Sequence, residues 1–197
     1  MAISLQKGQK IDLTKGRAGL SSLVVGLGWD PVKKSGGLFG FGKQENIDCD
    51  ASVLMLDENG KLQNQKDVIY FGNKTSKCGS VKHSGDNLTG AGDGDDEQVV
   101  IDLNKVPSYV HKLVFVVNIY ACVQRKQDFG MIQNAFIRVV DKSANTELVH
   151  YNITDNYSGL TALFPGEIYR HNGEWKFSAV GEGTKDTAID KIAQRYQ

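Results

Sequence analysis

His111-Lys112-Leu113-Val114-Phe115-Val116-Val117-Asn118-Ile119-Tyr120-Ala121-Cys122 is the longest apolar run in the chain. It is rich in β-branched and aromatic residues and apolar on both faces, the pattern of a central strand covered on both sides. Toward the C-terminus, 135–141 and 147–151 read as a hairpin around Ser143-Ala144-Asn145. Residues 167–170 and 175–180 pair across His171-Asn172-Gly173-Glu174, whose Asn-Gly centre is a two-residue turn signal. Toward the N-terminus, 3–5 and 11–13 read as short strands. Residues 20–27 form a longer one ending at Gly28-Trp29-Asp30-Pro31, and 68–71 form another short one. Only the C-terminus is helical in pattern. Beyond Asp186, the residues Ile189, Ile192, Ala193 and Tyr196 fall at i, i+3, i+4 and i+7, a stripe that can lie on a sheet. Many short strands with little helix predict an all-β fold: an antiparallel β-sandwich with a short C-terminal helix, residues 1–197 forming one domain.

The composition narrows the function. Hydrophobic residues make up 40% of 197 and charged residues 23%, ordinary for a chain that buries a core. The zero formal net charge removes the electrostatic case for nucleic-acid binding. No apolar run approaches the roughly 20 residues of a membrane-spanning helix. The opening Met-Ala-Ile-Ser-Leu-Gln-Lys-Gly lacks a signal-peptide core, which predicts a cytoplasmic protein. Cys49, Cys78 and Cys122 are odd in number and far apart, the pattern of reduced, partly buried thiols. The four histidines show no His-x-x-x-His pair, so zinc has little support. Gly26-x-Gly28 lacks the third glycine and the helix of a dinucleotide-binding turn. Residues 33–46 read as a long glycine-rich loop carrying Phe39 and Phe41.

The chemistry concentrates in Gly85-Asp86-Asn87-Leu88-Thr89-Gly90-Ala91-Gly92-Asp93-Gly94-Asp95-Asp96-Glu97, five carboxylates and four glycines in thirteen residues with no lysine or arginine. Glycines let the backbone fold back and turn carbonyls inward. Carboxylates held this close repel one another unless a cation sits among them. The donors are all hard oxygens, which favours calcium. An EF-hand does not fit: counted from Asp93, Gln98 stands where the sixth-position glycine belongs and Asn104 where the glutamate belongs. Further ligands must therefore come from elsewhere. Asp48 and Asp50 open the next acidic segment, and in an extended chain they point one way while Cys49, Ala51, Val53 and Met55 point the other. Loops of a sandwich cluster at its two ends, so these segments can converge. The plain alternatives are a solvated acidic turn and a polar strand end facing water.

Gly26-Leu27-Gly28-Trp29-Asp30, Asp48-x-Asp50-Ala51-Ser52, the complete 85–97 motif, Phe129-Gly130-x-x-x-Asn134-Ala135-Phe136-Ile137-Arg138 and Glu174-Trp175-Lys176-Phe177-x-Ala179-Val180-Gly181 together resemble the TerD family of tellurium-resistance and general stress proteins. The resemblance implies a bacterial, cytoplasmic, calcium-binding β-sandwich, similar in outline to calcium-dependent lipid-binding modules. It implies two calcium ions at one end, with Asp48, Asp50, Asp86, Asn87, Asp93, Asp95, Asp96 and Glu97 as the candidate ligands. Cys49 departs from the leucine of many members, and Asp128 from a frequent asparagine. Strand alternation predicts that Asp95 and Glu97 share one side and Asp96 the other.

The leading expectation is a calcium-dependent binding module, not an enzyme, whose ion has open positions for a partner's carboxylate or phosphate. A second is a metal-assisted hydrolase of phosphate esters or oxyanions, drawing on His83, Ser84 or Thr89. A third is an assembly module that binds other proteins of the stress system, at or near the membrane, through the Phe39/Phe41 loop or a sheet edge.

Overall fold

Twelve strands among the described residues form two six-stranded sheets in a computed structural model that describes residues 2–32, 47–84 and 94–197. They are β1 (Ile3–Leu5), β2 (Lys10–Asp12), β3 (Ser22–Pro31), β4 (Cys49–Leu56), β5 (Val68–Ile69) and β6 (Val81–His83), followed by β7 (Glu97–Asp102), β8 (Lys112–Ile119), β9 (Ile132–Asp141), β10 (Thr146–Asn152), β11 (Ala162–His171) and β12 (Glu174–Thr184). The first sheet runs β1-β10-β9-β3-β7-β6 and the second β2-β12-β11-β8-β4-β5. All pairings are antiparallel except β1 with β10.

The alternation that defines the strands also defines the core. Leu23, Val25 and Leu27 of β3, Val99 and Ile101 of β7, and Cys49, Ala51, Val53 and Met55 of β4 join one buried cluster between the sheets. Leu54, Leu56, Val114 and Val116 face the other side of the second sheet. There α2 (Ile189–Gln194) covers them with Ile192, while Ile189, Ala193 and Tyr196 pack alongside. This second layer explains why β8 is apolar on both faces. It lies inside the second sheet between β11 and β4, with helix on one side and the core on the other. The β11–β12 hairpin turns at Asn172 and Gly173, with φ of 52° and 79°, the left-handed pair that an Asn-Gly turn supplies.

Two local features differ from the sequence reading. β3 continues through Gly28, Trp29, Asp30 and Pro31 instead of ending there. Beyond Leu27 its β7 side carries no partner strand among the described residues, and Val32 donates to Met131 O on the β9 side (2.8 Å). The N–H that Pro31 lacks would have pointed to that unpaired side, so the ladder loses nothing. A bulge between Gly28 and Asp30 absorbs the irregularity, and Gly28 admits the Phe136 ring to within 2.3 Å of where a Cβ would stand. After β8 the chain forms a one-turn helix, α1 (Cys122–Arg125), bracketed by left-handed Ala121 and Lys126.

Candidate metal site

Asp48 and Asp50 lie on the side of β4 opposite Cys49, Ala51 and Val53, as alternation requires. They do not face water: their exposures are 9% and 6%. Asp50 stands directly across from Asn118 on β8. Asp48 Oδ2 is 3.6 Å from Arg125 Nη1, and that guanidinium lies over the Tyr120 ring at 5.3 Å. α1 therefore sets a cation beside the first acidic segment.

The head of β7 meets this segment at the β4 edge. Ala51 N–H donates to Glu97 Oε2 at 2.6 Å, and His83 Nε2 lies 3.0 Å from Ala51 O and 3.2 Å from the same Glu97 oxygen. Both partners of His83 Nε2 are acceptors, so that nitrogen carries the proton. The His83 and Glu97 side chains are fully buried. They form a polar stitch between the β6–β7 edge of one sheet and β4 of the other. Glu97 Oε1 is buried too, with no hydrogen-bond partner among the described residues.

Asp95 and Glu97 do not share a side. β7 begins at Glu97, and Gly94 just before it has φ of 121°, so strand alternation does not reach Asp95. Asp95 lies over the outer face of the first sheet, against Gly26, where a Cβ would fall 2.2 Å from its carboxyl atoms. Arg138 grips it with Nε to Oδ1 at 2.7 Å and Nη2 to Oδ2 at 3.0 Å, while Gln98 Nε2 donates to Oδ2 at 2.9 Å. The same arginine reaches Glu147 at 3.1 Å. Both carboxylate oxygens of Asp95 are thus taken up by a fork-shaped ion pair.

Asp96 takes a third direction. Its Oδ2 accepts the Trp29 N–H at 2.7 Å, and its own N–H donates to Leu27 O at 2.8 Å. Burial pushes its carboxyl pKa up; the Trp29 N–H opposes the rise, and the charges of Asp30, Asp95 and Glu97 reinforce it. Cys49 is fully buried in the core between the sheets. Burial pushes its thiol well up, and Asp50, Asp48, Glu97 and Asp96 push it further. The Ala51–Glu97 hydrogen bond is what brings the start of β7 to β4.

Asp86, Asn87 and Asp93, together with Thr89, Phe39, Phe41 and the rest of 33–46, lie outside the described residues. Among the described residues, no three His, Cys, Asp or Glu side chains are grouped so as to hold a metal ion. Among the described residues, too, no helix is long and apolar enough to cross a membrane. Sequence reasoning missed Arg138, Arg125, the His83–Glu97 stitch and Asn118. The Arg138 signal was present in the Phe136-Ile137-Arg138 motif, but its partner lies 43 residues away.

A model of the TerD domain family matches residues 1–196. The chain belongs to the TerD family. It is 66% identical to the stress response protein SCP2 of Bacillus subtilis (strain 168) over the full length of both. It is 46% identical to the tellurium resistance protein TerD of Serratia marcescens, covering 93% of this chain and 91% of that one. General stress protein 16U of B. subtilis is 50% identical, covering all of this chain and 97% of that one. The crystal structure of a TerD homologue, SCO6318 of Streptomyces coelicolor A3(2), superposes with a TM-score of 0.65 over 91% of this chain and 99% of that one. At 20% identity it supports the fold alone. That homologue therefore shares the sandwich fold of this chain.

Proposed function

We propose that this TerD-family protein is a cytoplasmic calcium-dependent binding module of the bacterial response to tellurite and other chemical stress. The observation that carries the reading is the junction at β4. Asp48 and Asp50 flank Cys49 at the start of β4, and Glu97 of the other sheet accepts the Ala51 N–H there at 2.6 Å. The donors are hard oxygens. The Asp96 carboxyl is raised by burial and like charges, and the Glu97 Oε1 is buried without a partner among the described residues. Both conditions are ones that a divalent cation relieves. Asp48, Asp50, Asp96 and Glu97 Oε1 are the ligands in this reading, and Asp86, Asn87 and Asp93 supply the rest of two shells. Asp95, held by Arg138, is left out. Bound calcium would neutralise the rim and offer open positions to an oxyanion of a partner, such as another protein of the stress system. The chain's own residues hold the two acidic segments together through Ala51, Glu97 and His83. The module is read as non-enzymatic. His83, a candidate base beside the loop, has a fully buried side chain that no substrate reaches in this arrangement.

Titration calorimetry on chelator-stripped protein tests the reading. Calcium is expected to bind with a Kd of roughly 10⁻⁷–10⁻⁵ M, the sensor range, and Asp50→Ala is expected to weaken it. Absence of any calcium heat, together with an unchanged melting temperature on adding calcium, refutes it.

A further inference from the structure

Arg138 and Arg125 each meet an aspartate of the acidic segments, and they meet it differently. Arg138 holds Asp95 by two hydrogen bonds, 2.7 and 3.0 Å, and the Asp95 side chain is 1% exposed. Arg125 Nη1 stands 3.6 Å from Asp48 Oδ2, beyond hydrogen-bond range. The Asp48 side chain is 12% exposed and that of Arg125 is 40%. The first pair is a two-pronged clamp. The second is a charge contact at the border of solvent, the kind that exchanges at little cost.

Arg125 also has a second seat. Its guanidinium lies 5.3 Å from the centroid of the Tyr120 ring, within the distance at which a ring face attracts a cation. One turn of backbone builds both seats. The Tyr120 N–H donates to the main-chain oxygen of Asp48 at 2.7 Å, and α1 then brings the chain back so that Arg125 reaches both residues. The turn is fixed at its base. Ala121 and Lys126 bracket it with φ of 51° and 52°, a left-handed conformation that a non-glycine residue keeps only where its surroundings hold it. Cys122 is buried, the Arg125 N–H donates to Ala121 O at 3.0 Å, and the Gln127 N–H donates to Cys122 O at 2.9 Å. The main chain of α1 is therefore held while the guanidinium at its end is exposed and loosely paired.

We propose that Arg125 is a tethered counter-ion of Asp48 that calcium displaces, so that Arg125 sets the calcium concentration at which the rim fills. The inference deepens the proposed function and rests on it. A guanidinium beside Asp48 Oδ2 neutralises the carboxylate in the ion-free protein and repels a divalent cation arriving at the same oxygen. Calcium carries twice the charge and takes several oxygens at once, which one loosely held guanidinium does not match. The displaced side chain keeps the Tyr120 ring and solvent within reach.

The first arm of the test is calorimetric calcium titration of chelator-stripped wild type, Arg125→Gln and Arg125→Lys. Arg125→Gln is expected to bind calcium about three- to tenfold more tightly. Arg125→Lys, whose ammonium keeps the charge, is expected within about twofold of wild type. The second arm treats wild type with phenylglyoxal, which modifies accessible guanidinium groups, in calcium and in EDTA, and reads each site by peptide mass spectrometry. Arg125 is expected to react at least about threefold faster in calcium, while Arg138, clamped on Asp95, keeps its rate. Equal calcium affinity of wild type and Arg125→Gln overturns the inference and leaves the calcium reading standing. Arg125→Lys binding as tightly as Arg125→Gln overturns it as well, because charge is then not the cause. Tighter binding by Arg125→Gln with no faster modification of Arg125 in calcium does the same, since the arginine then repels the ion without giving way. Absence of calcium heat in all three proteins refutes the calcium reading and this inference with it.

Discussion

Replacing Glu97 separates the stitch between the sheets from any part in ion binding. In Glu97→Ala the Ala51 N–H loses a charged acceptor at 2.6 Å, worth about 1.5–3 kcal/mol. Removing a fully buried side chain leaves a cavity whose lost packing adds about 1–2 kcal/mol. Release of a buried charge returns part of this. His83 keeps Ala51 O at 3.0 Å and so loses only its second acceptor. The net loss is about 3–4 kcal/mol. At about 2–4 °C per kcal/mol for a chain of this size, the melting temperature falls by about 6–16 °C. Glu97→Gln behaves differently. Its amide oxygen can replace Oε2 toward Ala51 and His83, and its amide nitrogen takes the place of Oε1, so about 1 kcal/mol is lost. The assay is urea and thermal unfolding of the wild type and both variants in EDTA, with calorimetric calcium titration beside it. The Gln variant should unfold near the wild type in EDTA yet bind calcium more weakly, since Oε1 is gone. Glu97→Ala within about 1 kcal/mol of wild type refutes the stitch. Gln falling as far as Ala refutes the assignment of the loss to hydrogen-bond geometry.

Arg138→Met strands Asp95, whose side chain is 1% exposed, and should cost about 2–4 kcal/mol in urea unfolding while calcium affinity stays within about twofold. A large loss of calcium affinity without loss of stability would return Asp95 to the ligand set. In native protein treated with iodoacetamide, peptide mass spectrometry should find Cys78 alkylated first. Its thiol is half-buried, which raises its pKa, but hydrogen bonds from Ser76 and Ser80 prevail and lower it, while Cys49 and Cys122 are buried. Burial holds the Asp67 carboxyl above the ordinary range despite Tyr109 and the Asn64 backbone. The folded protein thus binds this proton more tightly than the unfolded chain, so ionising Asp67 costs stability as pH rises through the folded value. Asp67→Asn should therefore be more stable than wild type at pH 7, with the gap closing as pH falls below about 4, the unfolded value. A gap independent of pH contradicts this.

Elements whose instructions are local were legible. The Asn172-Gly173 turn, the apolar β8 run and the Ile189/Ile192 stripe each carry their own signal, and each is where the sequence puts it. Features decided by a partner were not. Gly28 and Pro31 look like terminators until β3 is seen to lose its β7 neighbour beyond Leu27. The identities of Asp95, Asp96 and Glu97 marked the rim, but their directions did not follow from alternation. The register Leu27↔Glu97 fixes where β7 starts, and Arg138 with Gly26 draws Asp95 to the outer face. Arg125, 3.6 Å from Asp48, likewise stands on α1, a turn of helix at Cys122–Arg125 that the sequence reading did not announce.

In the proposed function the stitch would tie calcium affinity to fold stability in a way that neither acidic segment would alone. Glu97 Oε2 fixes β4 relative to the head of β7, and in the proposed function Oε1 of the same carboxylate faces the ion. An ion held by both segments then binds the native state and not the unfolded chain, and stabilises it by RT ln(1 + [L]/Kd), about 2.7 kcal/mol at a calcium concentration 100 times Kd. That corresponds to a rise of about 5–11 °C in melting temperature. An ion held by the Asp48–Asp50 segment alone would raise the melting temperature of wild type and Glu97→Gln alike. An ion shared across the β4 edge gives the variant a smaller rise, and the difference between the two curves measures the coupling.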